Sequence, residues 1–314
     1  VAAVPDETAE STGTTEENPL AYRKRKRRLG DRREGRRLRT IQPVLQLMPY
    51  VMPKRCDALN TFYDRLEVSR VDDLCRRKVR EGKVHFSALH VLLAAYLRTI
   101  SQRPGINRFV SGQKIFARNE IVFVMTVKKE LALNAPETLI KVKFNPADTL
   151  DEVYEKFNAT AQAAIASMDH PTEFDNLCRG LSRLPGLLLR FIMWILRVLD
   201  YIGHLPKAFL DVSPFHGSMI IPSMGSLGIP PIYHHLYNFG NLPMFIAFGA
   251  KRKAVELDRE GKPVERKYID FMAVMDERVC DGYYYASSFK YMKMYMHNPA
   301  LLEVPPEKVV EDLF

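Results

Sequence analysis

The pattern of apolar and polar residues predicts helices and strands that interleave along most of the chain. Alternating or β-rich runs predict six strands, at Ala58–Ser69, Glu120–Glu130, Glu137–Phe144, His216–Met224, Met244–Val255 and Val264–Met275. Apolar residues at helical spacing, several of them behind a capping residue, predict four helices, at Ser69–Val79, Ala88–Ile100, Leu150–Ser167 and Tyr283–His297. Interleaved helices and strands are typical of an α/β protein with a mixed sheet.

One further helix is unusually apolar. The segment LPGLLLRFIMWILRVLDYIG (Leu184–Gly203) is interrupted by only three charged residues, Arg190, Arg197 and Asp200. A membrane-spanning helix needs ~20 apolar residues, so these charges argue against a span. Arg190 and Arg197 are seven residues apart and therefore share one narrow polar stripe. We expect a helix that is mostly buried in the core, the alternative being a helix that lies in a membrane interface.

The first 40 residues lack apolar periodicity and predict a disordered tail ahead of one domain at residues 41–314. The tail is acidic up to residue 22, and then Arg23–Arg39 carries eleven Lys or Arg residues against two acids. Most of the chain's net charge of +9 therefore belongs to this stretch. We expect it to bind an anionic partner weakly, whether nucleic acid, a membrane surface or an acidic protein, and the alternative is a solvated tail.

The cysteines indicate a reducing compartment. All four are far apart in the sequence and form no C-x-x-C pair, so neither a zinc site nor a disulfide framework is indicated. The histidines also lack metal-ligand spacing, and we expect no metal ion. With no secretory signal at the start, the expected location is the cytoplasm.

Three ordered motifs carry a resemblance to a known family. The segment DERVCDG (Asp276–Gly282) stands between a predicted strand and a predicted helix; IIPSMGSLG contains Ser223 and Gly225; and RPGIN covers Arg103–Asn107. They resemble, in order, the D-H-R-x-x-D-G, S-x-L-G and H-P-x-L-N motifs of the dihydrolipoamide acyltransferases of 2-oxo acid dehydrogenase complexes. The resemblance spans residues 37–299. It implies a chloramphenicol acetyltransferase-like fold, a two-layer sandwich of a mixed β-sheet and flanking helices.

The resemblance also implies roles for individual residues. In that family a histidine is the general base that takes the proton from the thiol of dihydrolipoamide or coenzyme A, and a serine donates a hydrogen bond to the tetrahedral oxyanion. By position, the base corresponds to Glu277, the oxyanion donor to Ser223 and the aspartate of the motif to Asp281. The family is trimeric, with each active site in a channel between two subunits, so the resemblance implies a homotrimer.

Glu277 departs from the family pattern. A carboxylate has a reference pKa near ~4.3 and is a poor base for a thiol with a pKa of ~8.5 unless burial raises the carboxylate's value. A closed channel that excludes water would let a glutamate serve. The alternative is a structural or surface glutamate, paired with Arg278 or another neighbour.

The other two positions are also open to a structural interpretation. A serine hydroxyl at Ser223 can stabilise an oxyanion whatever the base is, or it is simply a small residue between strands. Asp281 stands directly before a helix, so N-capping explains it without chemistry. Three histidines near Ser223 in sequence are candidates for a substitute base: His216, His234 and His235.

Two functions follow from these alternatives. In the first, the chain is an acyltransferase that moves an acyl group between coenzyme A, or another pantetheine or lipoyl thiol, and an acceptor, with an acyl-carrier or lipoyl protein as partner. Coenzyme A is then a substrate, and no tightly bound cofactor is expected. In the second, the chain is a non-catalytic trimeric scaffold or binding module, a pseudoenzyme that keeps the fold. The choice between the acyltransferase and the non-catalytic scaffold depends on whether Glu277 can act as a base.

Overall fold

The computed structural model of the chain describes residues 26–128, 137–167, 173–222 and 225–312. The helices in these ranges are α1 (Pro43–Val51), α2 (Ser69–Arg80), α3 (Ala88–Gln102), α4 (Leu150–Ala166), α5 (Glu173–Ser182), α6 (Gly186–Ile202), α7 (Lys207–Val212) and α8 (Gly282–His297). The strands are β1 (Gly35–Arg37), β2 (Leu59–Glu67), β3 (Phe109–Ser111), β4 (Lys114–Arg118), β5 (Ile121–Lys128), β6 (Glu137–Phe144), β7 (Met219–Ile221), β8 (Met244–Leu257) and β9 (Pro263–Asp276).

The main sheet is mixed, as the sequence predicts. Its strand order is β2-β9-β8-β7-β5-β6, in which β7 runs parallel to both of its neighbours and the other adjacent pairs are antiparallel. A second, antiparallel sheet has the order β1-β4-β3. All six predicted strands are confirmed, although β7 spans only three residues of the longer predicted segment.

Helices α3, α4 and α8 begin where the capping residues predict, whereas the N-cap of α2 is Val68 and no side chain caps it. Ser87 and Thr149 each form a capping box, and the Thr149 hydroxyl accepts a hydrogen bond from the backbone N–H of Glu152 at 3.4 Å. Helices α2, α3, α4 and α8 share one apolar core with the main sheet. A smaller apolar cluster on residues of β8 and β9 includes Leu236, from the segment that precedes β8. The result is the two-layer α/β sandwich that the resemblance implies.

The arginine-rich stretch is partly folded, which differs from the disordered segment expected up to residue 40. Gly35 pairs with Arg118, and Leu38 is buried. A side chain on Gly35 would approach the Phe109 ring to 2.4 Å, so glycine is what lets the backbone enter here. The Asp31 carboxylate also accepts hydrogen bonds from backbone N–H groups in the same stretch. The high positive charge of this stretch therefore does not indicate that its backbone pairs with β4. Residues 1–25 lie outside the described residues.

The expectation that the apolar helix is buried is wrong. No residue of α6 is buried, and Leu187 is 83% exposed. The apolar core is already closed by α2, α3, α4 and α8, and α6 lies outside it. Within the described residues, no helix is long and apolar enough to cross a membrane.

Candidate functional site

The motif segment forms the turn between β9, which ends at Asp276, and α8, which begins at Gly282. Backbone hydrogen bonds fix both sides of this turn. The N–H of Asp276 donates to the carbonyl of Pro243, and the N–H of Glu277 donates to the carbonyl of Ala58, both at 2.9 Å. The turn is therefore held between the start of β8 and the segment that leads into β2.

A buried ionic network locks the turn from inside. Asp276 is 1% exposed, and Arg278 binds its carboxylate in a two-pronged arrangement, with Nε and Nη2 each 2.7 Å from an oxygen. Arg55 Nε approaches the same carboxylate at 3.3 Å. Both arginines also donate to backbone carbonyls, among them those of Tyr237 and Met52. Burial lowers the pKa of Arg55, and the neighbouring Asp276 carboxylate acts against that shift.

Glu277 points away from this network. Its side chain is exposed, and within the described ranges it makes no hydrogen bond or ion pair. The pairing with Arg278 considered from the sequence is not formed, because Arg278 is engaged by Asp276. The position that the sequence resemblance aligns with the family's base therefore carries a solvent-exposed carboxylate, on a turn held by backbone hydrogen bonds.

Asp281 is the N-cap of α8. Its carboxylate accepts a hydrogen bond from the backbone N–H of Tyr284 at 2.7 Å. A negative charge at this point also interacts favourably with the helix dipole. The geometry fits the structural interpretation of Asp281 that the sequence favours.

We expect Asp281→Ala to lower the free energy of unfolding by about 1 kcal/mol, because the first turn of α8 loses its cap. Urea denaturation measures this change. Asp258→Ala tests a similar side chain that caps only the β8–β9 turn, where its Oδ1 accepts from two backbone N–H groups. A loss of several kcal/mol for Asp281→Ala would contradict a role limited to capping.

The RPGIN segment lies beside the motif turn. The N–H of Gly105 donates to the Tyr284 hydroxyl at 3.0 Å, and a side chain at Gly105 would approach the Tyr284 ring to 2.7 Å. Arg103 lies over the Tyr291 ring at 4.6 Å, and Arg108 donates to the carbonyl of Val279 at 3.3 Å. The structure therefore brings together two of the three motifs that the sequence singles out.

The third motif is described only at its ends. Ser223 lies outside the described residues, and its role as an oxyanion donor stays a prediction. Strand β7 ends at Ile221, and a short 3₁₀ helix follows at Gly225–Leu227. A side chain at Gly225 would lie 3.2 Å from the carbonyl oxygen of Gly249, so this segment returns close to β8.

His216 is fixed in the interior. Its Nδ1 lies 2.8 Å from the Ser213 hydroxyl, and its Nε2 lies 3.4 Å from a carboxylate oxygen of Asp200. The rings of Phe209 and Phe239 meet it edge-on. Both ring nitrogens have partners and the side chain is buried, so this geometry offers no free nitrogen to a substrate.

The His234 and His235 pair is connected to the motif turn. His234 stacks on the Phe245 ring at 3.7 Å, and burial lowers its pKa, which favours the neutral ring. The Tyr237 ring meets both histidines edge-on, and the Tyr237 carbonyl accepts from Arg55 of the ionic network. His234 and His235 are therefore connected, through Tyr237 and Arg55, to the ionic network of the motif turn.

Sequence reasoning missed Arg55 and the cavity beside it. The cavity has a volume of about 220 Å³, and its lining includes Arg55, Arg197, Asp200 and Arg278. No local pattern marks Arg55, because its partner Asp276 is 221 residues away.

Cys280 is also near the turn, but burial raises the pKa of its thiol, which favours the protonated, unreactive form. Among the residues the structure describes, no group of three or more His, Cys, Asp or Glu could hold a metal ion.

The sheet order, the helical layer and the strand–turn–helix around Asp276 define the chloramphenicol acetyltransferase-like fold of the 2-oxo acid dehydrogenase acyltransferase cores. A probable dihydrolipoamide acetyltransferase from Listeria monocytogenes 4b F2365 is similar, with a TM-score of 0.54 and 12% sequence identity over 84% of this chain and 95% of that one. A chloramphenicol acetyltransferase is similar with a TM-score of 0.50 and 9% identity, over 83% of this chain and 99% of that one. At such identities the likeness shows the fold and not the activity. No protein-family model matches the sequence, and no curated protein matches it.

Proposed function

We propose that this chain is an acyltransferase-fold protein that keeps the site for an acyl thioester but lacks the matched general base. The acyl donor would be a thioester of coenzyme A or of another pantetheine or lipoyl thiol, carried in the latter case by a partner protein. Turnover would be slow, because the step that generates the thiolate has no efficient proton acceptor.

The observation that carries this proposal is the contrast within the motif turn. Asp276 is buried in an ionic network and Asp281 caps α8, so the turn is rigid and correctly joined to its strand and helix. Glu277, at the base position, is exposed. An ionised carboxylate in water is a weak base toward a thiol, so what is missing is the proton acceptor and not the support around it.

A non-catalytic scaffold is the second candidate. It is favoured by the fact that the two aspartates of the motif turn, Asp276 and Asp281, both have structural roles in the described part of the chain. Packing and capping alone would keep the structure of this turn in a protein that catalyses no reaction. The two candidates differ in whether a thioester substrate binds.

Acetyl transfer from acetyl-coenzyme A to dihydrolipoamide tests the proposal. We expect coenzyme A to bind in calorimetry, and we expect the transfer rate near neutral pH to lie about 10²–10⁴-fold below the rate with a matched base. Binding without fast transfer supports the proposal. Absence of coenzyme A or pantetheine binding favours the scaffold, and fast transfer by the unaltered chain contradicts the missing base.

We propose that the protein is a homotrimer. The family that the sequence resembles builds its site between two subunits, and the strand and helix that flank its motif are both present here, as β9 and α8. Sedimentation equilibrium is expected to give the mass of three chains. A stable monomer at micromolar concentration is the outcome that excludes the trimer.

A further inference from the structure

Helix α6 presents an apolar stripe to solvent. Leu187, Phe191, Trp194, Val198 and Ile202 recur at spacings of three or four residues, so they share one face of the helix, and all five are exposed. The stripe includes the chain's one tryptophan, which is 58% exposed and stacks on Phe191 with ring centroids 6.0 Å apart. Seventeen residues make this helix about 25 Å long.

The exposed charges on α6 are all positive. Arg190 and Arg197 are exposed and lie along one edge of the apolar stripe. The single acidic residue of the helix, Asp200, is turned toward the protein body, where it accepts a hydrogen bond from the N–H of Gly240 at 3.2 Å and contacts His216. The outward surface of α6 is therefore apolar and cationic.

A basic segment, defined as residues 26–39, adjoins the C-terminal end of α6. Arg32 donates to the carbonyls of Tyr201 at 2.7 Å and Ile202 at 2.6 Å, which also satisfies two of the helix's terminal carbonyls. Other arginines of the segment are exposed: Arg27, Arg28, Arg33 and Arg39. The Tyr201 hydroxyl, hydrogen-bonded to Gln113, fixes this end of the helix to the body as well. Helix α6 and the basic segment, neither of which has a role in the proposed function, thus form one continuous surface.

We propose that α6 and the basic segment form a membrane-docking surface that binds the anionic face of a lipid bilayer. An amphipathic helix with Trp, Phe and Leu on one face and arginines beside them lies in the plane of the headgroups, with its apolar face inserted. Trp194 and Tyr201 belong to the residue types enriched at that depth. Arg190 and Arg197 reach the lipid phosphates while their stems stay among the acyl chains. The basic segment adds attraction to anionic headgroups.

Electrostatics favours a lipid surface over the packing of α6 against α6 of a second copy. Two α6 helices packed through their outward faces would bring Arg190 and Arg197 together with arginines of the other copy. The helix offers no outward acid to pair with them, because Asp200 is turned inward. Like charges at a contact are unfavourable, whereas anionic headgroups supply the missing negative charge.

Trp194 makes the docking surface directly observable, because it is the one tryptophan in the chain. The full-length protein is titrated with vesicles of phosphatidylserine and phosphatidylcholine, and with vesicles of phosphatidylcholine alone. We expect the Trp194 emission to shift to the blue with the anionic vesicles and to be quenched by lipids brominated near the headgroup. Binding is expected to weaken as sodium chloride is added.

Matched variants separate the helix from the basic segment. Phe191→Ser with Val198→Ser keeps the fluorophore and is expected to weaken binding to anionic vesicles by at least about tenfold, since two inserted apolar side chains are lost. Arg190→Gln with Arg197→Gln is expected to cost about tenfold and to reduce the salt dependence. Val255→Ser with Leu257→Ser alters two side chains of β8 that are each 71% exposed, and is expected to leave binding unchanged.

Two outcomes overturn the proposal. In the first, the protein floats with anionic vesicles but the Trp194 emission does not change, which means that charge alone holds it. In the second, the emission shifts as protein concentration rises without vesicles, and Phe191→Ser with Val198→Ser abolishes both the shift and self-association. A second copy of the chain would then cover α6. Far-ultraviolet circular dichroism of each variant shows that the fold is retained.

Discussion

Replacing Asp276 with alanine is expected to lower the free energy of unfolding by about 3–5 kcal/mol, because two buried arginines lose their counter-charge. Arg55 and Arg278 are 5% and 2% exposed, and neither can turn to water without breaking its bonds to backbone carbonyls. An unpaired charge in such surroundings costs far more than a lost surface ion pair. Urea denaturation of the variant measures the effect.

The control is Asp64→Ala. Asp64 binds Lys293 at 2.6 Å, but both side chains are partly exposed, so we expect a loss of less than about 1 kcal/mol. Asp276→Asn keeps the shape of the carboxylate and removes its charge. We expect its free energy of unfolding to be close to that of Asp276→Ala. If Asp276→Ala were no more destabilising than Asp64→Ala, the network would not be what holds the motif turn.

The regular elements could be predicted from the sequence because their causes are local. Thr149 and Ser87 start helices by hydrogen bonds to residues a few positions away, and Asp281 does the same for α8. The apolar runs that predict β8 and β9 coincide with successive buried residues in each strand, so both faces of the sheet are covered there. The motif order was enough to indicate the fold, since each motif stands at the end of one such element.

What could not be predicted depends on contacts between distant residues. Apolar content alone does not reveal that α6 lies outside a core already filled by other helices. The pairing of Gly35 with Arg118 and of Arg55 with Asp276 joins residues that no sequence spacing relates. At the site, the sequence identified Glu277 as the departure from the family pattern, but it did not indicate that this side chain is exposed while Arg278 pairs with Asp276.

Glu277→His is expected to raise the rate of acetyl transfer by about 10²–10⁴-fold, the usual contribution of a positioned general base. A histidine at this position has the basicity that a thiol requires, and the turn that would present it is already fixed. The gained rate should fall as the pH drops through the imidazole's pKa, near ~6.5, because only the neutral ring can accept a proton.

Glu260→His is the matched control. Glu260 is an exposed glutamate on the turn between β8 and β9, so the same substitution there adds an imidazole away from the motif turn. We expect no gain of transfer from this variant. A gain from both variants would indicate unspecific imidazole catalysis rather than restoration of a site.

The measurement that tests the missing base most directly compares acetyl-coenzyme A to dihydrolipoamide transfer by the unaltered protein, Glu277→His and Glu277→Ala under one set of conditions. The account predicts slow transfer by the unaltered protein, no further loss in Glu277→Ala and a gain of at least about 100-fold in Glu277→His. Fast transfer by the unaltered protein, together with loss of that activity in Glu277→Ala, would contradict this account and show that Glu277 acts as the base.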